Sequence, residues 1–217
     1  TDRSRGLGDV YKRQVFDLVL DNMGDRFKSK VDLQNYLYAK IAQGFLRYRW
    51  VITYLFGASP VAEANYFEPG KGPKAPIRSI RQSSHGFGNP FTGDYTNVQR
   101  YVNRIEKGVA DGKLISDYEF HGAVRFKGNS HLRELPKTGV SYLELRMLDL
   151  DPSSSVGIRT NTLRFFRLMA SYFIMSPAMN SEEVEKVIAR SDKMNEEVSE
   201  EHPNDISKYP VSYTHLT

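Results

Sequence analysis

The stretch from Val140 to Leu150, Val-Ser-Tyr-Leu-Glu-Leu-Arg-Met-Leu-Asp-Leu, alternates at the period of a β-strand. Leu143, Leu145 and Met147 fall on one face, which the pattern predicts to be the core side. Tyr142, Glu144, Arg146 and Leu148 fall on the other. A charge on a half-buried sheet face is costly unless it is paired, bound to a metal or needed for chemistry. The spacing therefore leaves two readings open: a structural Glu144–Arg146 pair, or a site.

Both ends of the chain read as foreign to it. Ser4 to Gln14 can be encoded by one of the transposase adapters used in sequencing libraries, and Val211 to Thr217 by the reverse complement of its partner. Residues 1–14 and 211–217 are therefore expected to be adapter-derived tails, and residues 15–210 an internal piece of a longer domain. Tyr11 and Tyr213, on this reading, should make few apolar contacts with the rest. Of the 30 basic and 26 acidic residues, four basic and two acidic ones lie in 1–14 and none in 211–217, leaving a net charge of +2 between the tails. That small balance removes the support for nucleic-acid binding that the whole chain's charge of +4 suggests. With no cysteine, the chain has no disulfide framework, thiolate zinc site or cysteine nucleophile. Charges interrupt the apolar stretches well short of a membrane span.

The rest of the pattern is helical around a strand pair. Residues 15–30 read as a short helix through Val15, Leu18, Val19 and Met23. Asp32 is a candidate N-cap for a stronger helix whose stripe runs Leu33, Leu37, Ile41, Phe45, Tyr48, Ile52 and Leu55, ended by Gly57 and Pro60. Residues 58–94 hold most of the glycine and proline and read as one long loop, a length usually tied to function or disorder. A helix is predicted from about Thr96 to Val109, with Gly112 as a stop. Tyr118 to Lys127 alternates as a second strand, with Tyr118, Phe120, Val124 and Phe126 on one side and Glu119, His121, Arg125 and Lys127 on the other. Thr160 to Met175 is predicted to be a buried helix backing the sheet. Ser181 to about Glu200 opens with an N-cap and early acids. Helices flanking an antiparallel pair, with one sheet face covered, make an α+β domain.

Three segments in order carry a family resemblance. Phe45-Leu-Arg-Tyr-Arg-Trp-Val-Ile-Thr-Tyr-Leu-Phe-Gly-Ala-Ser-Pro60 resembles the long helix and following turn of glutamate–cysteine ligase. The Ser79-Ile-Arg-Gln-Ser-Ser-His-Gly-Phe-Gly-Asn89 loop and the Gly139 to Pro152 strand resemble the next two landmarks of that family. The Phe-Gly-Ala-Ser-Pro-Val-Ala-Glu form is most similar to the ligase part of bifunctional glutathione synthesis proteins of Gram-positive bacteria, which carry an ATP-grasp synthetase domain downstream.

The resemblance implies an antiparallel sheet with one face packed by helices and the other forming the active site, as in glutamine synthetase-like folds. It implies small-molecule substrates (glutamate, cysteine and ATP), a cytoplasmic setting, and no nucleic-acid or membrane partner. ATP phosphorylates the γ-carboxylate of glutamate, and the cysteine amine attacks the acyl phosphate. Mg²⁺ and arginines neutralise the transferring charge. Carried over residue by residue, Glu144 matches the metal ligand on the strand, Arg146 a phosphate-contacting arginine, and Arg81 a loop arginine that holds substrate. Arg125 matches an arginine of the other strand. Phe87 and His121 fall where the family often has tyrosine, so a hydroxyl contact is missing at both. For His121 a satisfied sheet histidine is an equal reading, and for Arg81 a solvated loop charge. The other acidic metal ligands of the family fall upstream of Val15, so the segment alone is expected to be inactive.

Two alternatives remain open on the sequence. One is a related carboxylate–amine ligase with another amine substrate, which an amine panel would separate. The other is a non-catalytic binding domain on the same scaffold, for which the substitutions at Phe87 and His121 leave room.

Overall fold

Ser29, not Asp32, caps the first described helix: its Oγ accepts the Asp32 amide at 3.1 Å. Serine and aspartate both suit an N-cap, so residue type alone does not separate Ser29 from Asp32. The structure, a computed structural model, describes residues 26–63, 65–86 and 91–209. Both tails, with Tyr11 and Tyr213, and most of the helix expected over residues 15–30 lie outside the described residues.

Helix α1 (Lys30–Arg47) and helix α2 (Arg49–Phe56) divide at Tyr48, whose ψ of 16° breaks what the apolar stripe predicts as one helix. Helix α3 (Val98–Ala110) starts at Asn97, whose side chain accepts the Arg100 amide, and is followed by Gly112 at φ +70°. Strand β1 (Val124–Lys127) pairs antiparallel with strand β2 (Tyr142–Leu145), and the short helix α4 (Leu135–Thr138) lies between them in sequence. Helix α5 (Thr160–Met175) and helix α6 (Ser181–Glu200) follow. Asn180, one residue before the expected Ser181, caps α6 through the Glu182 amide. Among the described residues, helices around a two-stranded antiparallel sheet make an α+β arrangement.

The strand expected over 118–127 is shorter than its alternation. Asp117–Glu119 forms a 3₁₀ turn, in which the Glu119 carboxylate accepts the Ile115 amide, so the exposed Tyr118 leaves the core side. Phe120 stays in the core, against Tyr101 of α3. The register then places Val124 opposite Leu145 and Phe126 opposite Leu143, on the face that α1 covers. Side chains of α1 also fasten the approach to β2. Asn35 bonds both Pro136 O and the Val140 amide, and Tyr38 OH donates to Ser141 O. Tyr95, fully buried, donates to Val124 O, and burial raises its hydroxyl pKa well above the ordinary value.

Helix α5 corrects another expectation. It packs along α1 rather than behind the sheet, and only Phe166 and Phe173 are buried. Leu168 is 70% exposed and Met175 79%, so half of its apolar residues are left exposed by the described residues. Apolar run length alone cannot tell a surrounded helix from one covered on a single side.

The α1–α5 contact depends on Gly44. A Cβ there would come within 2.3 Å of the Phe173 ring, which meets Phe45 edge-on and stacks on Tyr48. Gly44→Ala is therefore expected to destabilise the chain by about 2 kcal/mol, overpacking outweighing the better helix propensity of alanine. Urea denaturation checks this. A more stable variant would mean that the two helices can separate at no cost.

Candidate active site

The ionisable face of the strand pair is built by register. Arg125 stands directly opposite Glu144, and Lys127 opposite Tyr142. Arg146, whose amide donates to Ala123 O at 2.8 Å, continues the same face just past β2. Glu144 is the sole acid among these side chains and lies between two cations: Lys127 Nζ is 3.6 Å from Oε2 and Arg146 Nε 3.7 Å from Oε1. Both distances exceed a direct hydrogen bond, and the Glu144 side chain is 39% exposed. Arg125 instead reaches the carbonyl of Asp117 at 3.4 Å and approaches the buried Tyr101.

Beside this face opens a cleft of about 490 Å³. Arg81 from the long loop, His121 from the approach to β1, and Arg146 all line it. The Arg146 Nη1 to His121 Nδ1 contact is 3.4 Å, and because guanidinium only donates, it selects the tautomer with Nδ1 as acceptor. Arg81 is exposed and its backbone amide is held by Ser59 Oγ at 3.2 Å. Its guanidinium has no hydrogen-bonded or ionic partner among the described residues, an arrangement suited to an arriving anion. Arg125 and Glu144 are outside the cleft lining, and Glu144 meets it through Arg146. Phe87 lies outside the described residues.

The cleft also contains residues to which no sequence motif assigned a role. Arg49 of α2 pairs with Asp192 of α6 at 3.0 Å and donates to Gln82 Oε1 at 3.2 Å. Burial holds the Asp192 carboxyl above the ordinary carboxylate range, and the Arg49 guanidinium opposes that rise. Behind them, Thr53 donates to Asn195 at 2.6 Å, within the most extensive helix–helix contact among the described residues, α2 against α6. The only sequence signal for Arg49 is a charge at the edge of an apolar stripe. For Asp192 there is none, because its partner is distant in sequence.

The long loop is pinned from below by Asp149. Its Oδ2 accepts the Ala58 amide at 2.8 Å, Ser59 Oγ at 2.8 Å and Ser79 Oγ at 2.7 Å. One carboxylate oxygen thus ties the turn after α2 and the start of the Arg81 loop to the chain leaving β2.

A Mg²⁺ shell needs several oxygen ligands in near-octahedral array. Among the described residues no group of three metal-ligating side chains comes together. Glu144, with two cations beside it, does not make such a site by itself. Nor, among those residues, is any helix long and apolar enough to cross a membrane.

Comparison with known proteins bears out the family resemblance. The family model for glutamate-cysteine ligase matches residues 11–111 and 89–195. The glutathione biosynthesis bifunctional protein of Lactiplantibacillus plantarum is 39% identical over 194 residues, covering 89% of this chain and 25% of that protein. Its counterpart in Enterococcus faecalis is 40% identical over 186 residues, covering 84% and 24%. The chain thus spans about a quarter of the length of these relatives. Among solved structures, the bifunctional glutathione synthetase of Pasteurella multocida superposes with a TM-score of 0.74 at 33% identity, over 91% of this chain and 25% of that one. The glutamate–cysteine ligase of Francisella tularensis, solved in complex with AMP, gives 0.69 at 21% identity over 88% and 45%, a likeness of fold.

Proposed function

We propose a function for a chain that belongs to the glutamate–cysteine ligase family: it supplies the phosphate- and carboxylate-binding wall of an enzyme that joins glutamate to cysteine with ATP. The observation that carries this reading is the convergence of Arg81, His121 and Arg146 on one cleft beside the Glu144 face. In this reading that face of the antiparallel sheet is the active-site face and α1 covers the other. The product is γ-glutamylcysteine, the first intermediate of glutathione synthesis. By likeness to the bifunctional relatives, an ATP-grasp synthetase domain is proposed to follow downstream in the full-length protein.

The chemistry asks for what these residues can do. Oxygen of the glutamate γ-carboxylate attacks the γ-phosphorus of ATP, ADP leaves, and the cysteine amine then displaces phosphate from the acyl phosphate. Negative charge grows on the transferring oxygens in the first step, and preorganised guanidinium groups stabilise it without reorganising. Arg146, held by Glu144 on one side and His121 on the other, is proposed to meet the phosphoryl group. Arg81 is proposed to hold a substrate carboxylate, with His121 bordering the amino-acid pocket and Arg125 lending positive potential from the neighbouring strand. Glu144 would give one carboxylate to Mg²⁺, with the remaining ligands outside the described residues. The ion, when bound, would neutralise the polyphosphate.

Phosphate release by the full-length protein tests the reading, with ATP, glutamate and a panel of amines. Release that requires glutamate and is fastest with cysteine is expected. Release fastest with another amine would point to a related carboxylate–amine ligase. No release with any amine would point to a binding domain.

A further inference from the structure

Gln82 follows Arg81 in sequence, is 6% exposed, and has every polar group engaged. Its amide donates to Ser79 Oγ at 3.1 Å and its carbonyl accepts from Asn195 Nδ2 at 3.0 Å. Its side-chain Oε1 accepts from Arg49 Nη2 at 3.2 Å, and its Nε2 donates to Arg146 O at 3.4 Å. These partners belong to four separate pieces of the fold: the loop itself, α6, α2 and the residue just past β2. Each is anchored in turn, Ser79 by Asp149, Asn195 by Thr53, Arg49 by Asp192 and Arg146 by its amide to Ala123 O. A buried amide satisfied at both ends resists displacement, because moving it strands donors and acceptors away from water.

We propose that Gln82 is a positioning residue that sets the spacing between Arg81, its chain neighbour, and Arg146, whose carbonyl it holds. This rests on the ligase reading above. Each guanidinium can bind its own anion wherever it stands, but phosphoryl transfer needs both substrates aligned at once. Loss of the Gln82 link should therefore fall on turnover rather than on ground-state binding.

The test uses the full-length protein with two variants. Gln82→Leu removes both side-chain bonds at nearly constant size. Gln82→Glu keeps the acceptor for Arg49 but loses the donor to Arg146 O. Both are expected to lower kcat at least about tenfold while KM for ATP and for glutamate changes less than about threefold. Hydrogen exchange at amides 79–86 should quicken in Gln82→Leu and stay unchanged in α1. Native kcat in both variants would overturn the proposal, as would a loss confined to KM. If the native protein makes no γ-glutamyl product, the ligase reading falls, and hydrogen exchange alone decides the clamp: unchanged protection at 79–86 in Gln82→Leu overturns it.

Discussion

Glu144→Gln in the full-length protein is expected to lower ligase turnover by about 100-fold or more and to leave the melting temperature within a few degrees of native. The two halves of that expectation have separate origins. Glu144 pairs with Lys127 and Arg146 at 3.6 and 3.7 Å in a part-exposed setting, where ion pairs contribute about 1 kcal/mol or less. The amide keeps the shape and one acceptor oxygen, so the strand pair should hold. What is lost is the sole negative charge on a face that otherwise presents Arg125, Lys127 and Arg146. With it goes the proposed carboxylate ligand, and a hard cation strongly prefers carboxylate oxygen. Turnover should then fall further than glutamate binding weakens. The check is initial rate of phosphate release against Mg²⁺ concentration, alongside a thermal melt. Near-native turnover in a folded Gln variant would reduce Glu144 to a structural partner of Arg146.

Asp149→Ala should be the most damaging change to stability, at about 4 kcal/mol. The residue is 9% exposed, and its Oδ2 collects one backbone and two hydroxyl donors. Alanine would leave the Ala58 amide, Ser59 and Ser79 without their acceptor in a place water reaches poorly. Since domains are stable by only about 5–15 kcal/mol, that is a large share of the total. Asp149→Asn should cost less, about 1–2 kcal/mol, because its oxygen can still accept where Oδ2 does. Its amide would then occupy the Oδ1 position, a buried acceptor with no protein partner. Urea midpoints of the chain carrying each variant measure the difference. Equal midpoints for Ala and native would mean that the three donors re-pair among themselves.

How far these features were legible in the sequence follows from how local their causes are. The Glu144 strand and its apolar face could be read directly, since period-2 alternation is a property of neighbouring residues. The same rule overextended the first strand: Tyr118 and Phe120 alternate correctly, but the 3₁₀ turn at Asp117–Glu119 intervenes. Helix α5 has the expected bounds and the wrong partner, because its composition says that it is apolar and not which helix it meets. Arg146 was legible from the strand alternation as a pair or a site and Arg81 only through family resemblance, while Arg49 and Gln82 lay in the landmark segments without an assigned role and Asp192 carried no signal. Their significance arises from contacts among the long loop, α2 and α6, which no spacing rule encodes.

The most direct test of the proposed chemistry follows one oxygen. The full-length protein would turn over ATP and cysteine with glutamate labelled by oxygen-18 in its γ-carboxylate, and the released phosphate would be analysed by mass. If the Arg81–Arg146 cleft carries a γ-phosphoryl to that carboxylate, each phosphate contains one labelled oxygen, and Arg146→Met stops the transfer in a folded protein. Unlabelled phosphate formed at the native rate, or undiminished transfer in Arg146→Met, would contradict the account.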